Sequence, residues 1–113
     1  MNMNVFQNRL CTADERTINF DPFGNWAAEK WVHKRDLANY EIFKKSLLSD
    51  QKLAAKFEKT YNLILKKYSA KFESAIANEY AASTLGGNLR FFLEDHNDIN
   101  SALDNIFAMI NSK

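Results

Sequence analysis

Residues 50–83 read DQKLAAKFEKTYNLILKKYSAKFESAIANEYAAS, with neither Gly nor Pro. Ala, Lys, Leu and Glu dominate the stretch, and all four are good helix formers. At about 100° per residue, Leu53, Phe57, Tyr61, Ile64, Tyr68, Phe72 and Ala75 fall on one face. Leu53 to Ile64, Phe57 to Tyr68 and Tyr61 to Phe72 are each eleven positions apart. That repeat keeps one face aligned on a nearly straight helix. The pattern predicts one helix over 50–83, roughly 50 Å long at about 1.5 Å per residue. Ser49 or Asp50 is placed to cap it.

The same reading extends in both directions. Upstream, Asn25 is a good N-cap for a helix over 26–48. Trp26, His33, Leu37, Tyr40, Phe43, Leu47 and Leu48 share its apolar face. Before it, residues 1–25 read as an irregular arm that ends in the turn Asp21-Pro22-Phe23-Gly24-Asn25. The arm offers Val5, Phe6, Leu10, Ile18 and Phe20 to pack across the helices. Downstream, Gly86-Gly87 is expected to end the second helix. Asn88 then caps a third, over 88–111. Its seam is Leu89, Phe92, His96, Ile99, Leu103, Ile106 and Ile110, in alternating steps of three and four. A break near Asn97-Asp98, with Asp98 capping a separate helix, is the rival reading. The unbroken seam favours one helix. The expected fold is therefore all-α: a single domain over 1–113, a bundle of three long antiparallel helices (about 26–48, 50–83 and 88–111) with an N-terminal arm.

Composition narrows the function. Hydrophobic residues make up 46% of the 113, too many for intrinsic disorder. No apolar run approaches the ~18 residues of a membrane span. Met1 to Leu10 lacks the apolar core of a secretory signal. The single Cys11 cannot form an internal disulfide, which fits a reducing compartment. A cytoplasmic protein with no membrane contact is the expectation. The net charge of +1 excludes both an acidic DNA mimic and a chain that is basic throughout. The 13 Asn and 11 Lys have AT-rich codons, which suits a low-GC genome, a phage or a mobile element.

Catalysis has little to work with. There are two histidines and one thiol, and none pairs at the i, i+4 spacing that brings metal ligands together. His33 and His96 sit on apolar faces and read as packing residues. Gly86-Gly87-Asn88 has no neighbouring Lys and reads as a turn. Glu94, Asp95 and Asp98 read as a solvated acidic face. The chain is expected to work without metal or cofactor and not as an enzyme.

Charge, by contrast, is unevenly placed. Residues 30–71 carry a net +7 and residues 72–112 a net −5. With Leu53 at 0°, the apolar stripe centres near 50°, and Lys52, Lys56, Lys59, Lys66 and Lys67 fall between about 220° and 320°. No acidic residue of that helix shares the sector. Lys44 and Lys45 precede it. The acids of the third helix are expected to point away from it, since both helices turn their apolar stripes to the same core. Like charges at i, i+4 repel by about 0.2–0.5 kcal/mol. A charge run is usually a solvated face. A ridge without interleaved acids also suits an anionic partner. A second anomaly is Trp31 with Ile42, eleven apart and opposite the main stripe. Lys34, Arg35 and Lys45 flank them, as a polar rim flanks an apolar hot spot. Cover from the N-terminal arm is the plain reading of this patch.

Taken together, these features point to a small adaptor or inhibitor. It docks through Lys44, Lys45, Lys52, Lys56, Lys59, Lys66, Lys67, Arg35, Trp31 and Ile42. The partner is a larger protein with an acidic surface or one that handles nucleic acid, such as a defence nuclease. Direct, sequence-nonspecific nucleic-acid binding through the same lysines is the alternative. A homodimer through the 89–110 seam is the third. Tyr61 and Tyr68 fall on the core stripe, which leaves Tyr80 as the tyrosine best placed to be exposed.

Overall fold

The computed structural model describes residue 10, residues 34–96 and residues 98–112. Every regular element among them is helical: α1 (Lys34–Ser46), a 3₁₀ turn (Leu47–Ser49), α2 (Gln51–Ser69), α3 (Ser74–His96) and α4 (Ile99–Asn111). The expected start of the first helix, the N-terminal arm other than Leu10, and Trp26, Trp31, His33 and Cys11 lie outside the described residues. So does the side chain of His96.

α1 carries Lys44 and Lys45 in its last turn, where cations complement the helix dipole. The tighter 3₁₀ turn follows. At about three residues per turn it rotates Leu48 off the apolar face, while Leu47 stays in the core. Leu48 is 74% exposed. α2 begins at Asp50, whose carboxylate accepts from the Leu53 N–H at 3.2 Å. Of the two caps the sequence offers here, Ser49 and Asp50, it is Asp50 that serves. Phe57, Ile64 and Tyr68 are buried, as the stripe requires.

The single helix expected over 50–83 is two helices. α2 ends at Ser69, and the Lys71 and Phe72 N–H groups both bond back to the Tyr68 carbonyl at 2.9 Å. The backbone then turns, and α3 starts with the Ala77 N–H donating to the Glu73 carbonyl at 2.9 Å. Aromatic packing explains the turn. Phe72 meets Tyr80 edge-on at 5.1 Å, and Tyr68 lies 5.6 Å from Tyr80. The Tyr68 and Thr84 hydroxyls bond at 2.9 Å. A straight helix would carry Tyr80 and Thr84 away from Tyr68. Tyr80 is therefore buried, not the exposed platform expected of it.

The second correction concerns Gly86-Gly87. Both lie inside α3 and terminate nothing. α1 crosses α3 there with backbones almost touching. A Cβ on Gly86 would overlap the Asp36 carbonyl oxygen and lie 2.8 Å from the Tyr40 nitrogen. A Cβ on Gly87 would meet the Asp36 carboxylate at 3.1 Å. The pair is a crossing point rather than a stop. α3 packs most extensively on α1 and also touches α2 and α4.

The third helix of the sequence reading is also divided. α4 starts anew after Asp98, which accepts from the Asn100 N–H at 3.1 Å and from the Ser101 hydroxyl at 2.9 Å. The rival reading of that segment is the correct one. Leu89, Ile99, Leu103, Ile106 and Ile110 are nonetheless all buried, in the core shared by the four helices. A dimer seam built on them would first have to open that core. Leu10 packs against the same core.

Candidate docking face

α2 is unbroken from Gln51 to Ser69, so its lysines keep the rotational phase read from the sequence. Their environments divide them. Lys56 is only a third exposed, and its Nζ lies 2.8 Å from the Asp104 carboxylate and 2.6 Å from Asn100 Oδ1. An α4 acid thus reaches the lysine face, against the expectation that the two charged backs diverge. Lys56 lies on the flank of α2 that meets α4, and Asp104 projects from the edge of α4 rather than its back. An exposed pair of this kind contributes about 0–1 kcal/mol. Lys67 is half-buried and makes contacts of its own.

Lys52, Lys59 and Lys66 stay on the open back of α2, each exposed. None has an ion-pair partner among the described residues. Lys59 Nζ lies 5.0 Å from the centre of the Phe107 ring, a cation–π contact that leaves its outer side open to solvent. A hollow of about 230 Å³ opens beside it, lined by Ala55, Lys56, Lys59, Thr60, Asp104 and Phe107.

The remaining candidates lie on α1. Lys44 is exposed, with Nζ 5.8 Å from the Tyr40 ring centre. It shares a second hollow, about 160 Å³, with Tyr40, Phe57, Glu58 and Tyr61. That places it on the Glu58 flank of α2, away from Lys56. Lys45 is exposed and Ile42 half-buried. Arg35 is not an open rim charge, because its Nε and Nη2 are buried and the residue is held by other contacts. Trp31, the other half of the apolar patch, lies outside the described residues.

Sequence reasoning missed a buried polar cluster at the α1–α3 crossing. Asp36 is 2% exposed, Asn39 0% and Asn88 2%. The Asn88 amide donates to the Thr84 carbonyl at 2.8 Å. Asp36 is four before Tyr40 and seven before Phe43, so its spacing did place it on the core face. Its charge concealed that.

Two phenols feel their surroundings. Burial raises the Tyr40 hydroxyl well above its ordinary value near 10, and Tyr61, Glu41 and Glu58 add to the effect. Burial alone raises Tyr61. Among the described residues no group of three or more His, Cys, Asp or Glu could hold a metal ion. No helix among them is long and apolar enough to cross a membrane. No family model, curated protein or solved structure matches the chain.

Proposed function

We propose that this chain is a non-catalytic interaction protein, an adaptor or inhibitor, that docks through the back of α2 onto an acidic surface of a larger protein. One observation carries the reading: Lys52, Lys59 and Lys66 are exposed along one line of a continuous helix with no carboxylate paired to them among the described residues. At about 10.5 Å apart the three ammonium groups repel one another only weakly, so an anionic partner gains their attraction at little cost in the free protein.

The chemistry of the face favours protein over nucleic acid. Arg, whose planar fork suits phosphate best, is missing from this line. The tyrosines that could stack on bases are turned inward: Tyr68 and Tyr80 are buried, and Tyr61 packs 5.3 Å from Tyr40.

The test is retention of a partner from cell extract on the full chain and on a Lys52→Glu/Lys59→Glu/Lys66→Glu variant. Helicity of the two should match, because all three side chains are exposed. A protein held by the wild type, released by salt and lost from the variant is the expected result. Equal retention on both rejects the docking face. Salt-sensitive binding of a plain oligonucleotide by the wild type alone would replace the protein partner with nucleic acid.

A further inference from the structure

Lys52, Lys59 and Lys66 recur every seven residues, about 10.5 Å apart at helical rise. The residues that alternate with them on the same face are Ala55, Asn62 and Ser69, and all three are exposed. The back of α2 thus runs Lys, Ala, Lys, Asn, Lys, Ser in steps of three and four. This is the spacing of a helix-pairing seam, turned to solvent instead of to the core. Ala55 and Ser69 are small and Asn62 is shorter than the lysines, so a second helix can lie along the face between the lysine stems. The lysine stems then lie along its sides with their charges at fixed intervals.

Resting on the reading of α2 as the docking face, we infer that the partner element is an acidic α-helix laid along α2, with Asp or Glu at seven-residue intervals. Charge complementarity selects it. Each carboxylate meets one ammonium, and the heptad keeps all three pairs in register as the helices wind around one another. Glu58, the acid of α2 nearest the line, lies on the flank away from Lys56, where it shares the hollow with Lys44. It does not interrupt the row. The hollow beside Lys59 supplies an anchor. Ala55 and the Phe107 ring form its apolar wall, and its volume of about 230 Å³ accepts one leucine- or phenylalanine-sized side chain of the incoming helix. Lys56 is already held by Asp104 and Asn100, so it fixes the edge of the hollow rather than pairing with the partner.

Two synthetic peptides test this against the full chain. Each is about 21 residues, three heptads, with the same composition: three Glu, one Leu and a helix-forming background. One carries Glu at seven-residue intervals with Leu beside the central Glu. The other spreads the same residues around the helix. Fluorescence anisotropy should show the heptad peptide binding about tenfold more tightly or better. Its helicity should rise on binding, and Lys59→Glu should remove the preference. Equal affinity for the two peptides overturns the helical partner. If the triple lysine variant then binds neither, the acidic-surface reading survives without it. Displacement of the heptad peptide by a single-stranded oligonucleotide at equal charge overturns both.

Discussion

Gly86 has no side chain because there is no room for one. In an isolated helix Gly→Ala is stabilising by about 1 kcal/mol. Here the added methyl would run into the Asp36 carbonyl and the Tyr40 nitrogen, both backbone atoms that cannot rotate away. Gly86→Ala should therefore destabilise the protein by about 1–3 kcal/mol, the usual cost of overpacking. Urea denaturation measures it, and a stabilised variant would mean that α1 and α3 do not cross as described. Gly87→Ala should cost less, because the nearest atoms belong to the Asp36 side chain. The sequence showed two adjacent glycines and no more. Glycine at a helix end and glycine at a helix crossing look alike in one dimension, and only the partner backbone tells them apart. The buried Asp36 was hidden for a related reason: its spacing marked the core face and its charge argued against it.

At the scale of elements, caps were legible only in part. Asp50, one of two candidates with Ser49, caps α2, and Asp98 caps α4 although the unbroken seam argued against a break there, whereas Asn88, read as a cap, lies inside α3. Asp98→Ala should lower stability by about 1 kcal/mol, since the Asn100 N–H and the Ser101 hydroxyl both lose their acceptor. Asp98→Asn or Asp98→Ser should restore most of it, and thermal melts of the three variants check the order. The turn over 70–73 was not readable. Local propensity runs helical straight through it, with no Gly or Pro to mark a stop. What bends the chain is the Tyr68, Phe72 and Tyr80 cluster, and its members are up to twelve residues apart. An apolar stripe records which residues face inward but not where the helix doubles back. For three of the five lysines of α2 the stripe was enough. Lys52, Lys59 and Lys66 take their exposure from the phase of α2 alone. Lys56 does not, because its neighbour Asp104 comes from another helix.

For the whole molecule, the phenols set an alkaline limit. Tyr40 and Tyr61 hold their protons more tightly when folded than in the unfolded chain, whose phenols titrate near 10. Their stabilising effect is complete below that value and is lost as pH rises through the folded-state values. Stability should thus be flat in this respect at neutral pH and fall from about pH 10 upward. Tyr40→Phe should flatten that fall, as urea midpoints across the alkaline range would show. A slope unchanged by the substitution would assign the loss to other groups.

α3 touches each of the other three helices and owes its closest neighbour to two glycines, residues that weaken a helix standing alone. The order of assembly follows. As the polypeptide emerges from the ribosome, α1 and α2 can meet through Tyr40, Phe57 and Tyr61, but Tyr68 finds Tyr80 and Thr84 only when α3 follows. A product that stops short of α3 lacks the one helix that touches α1, α2 and α4, so the core shared by the described helices is complete only once α3 is present.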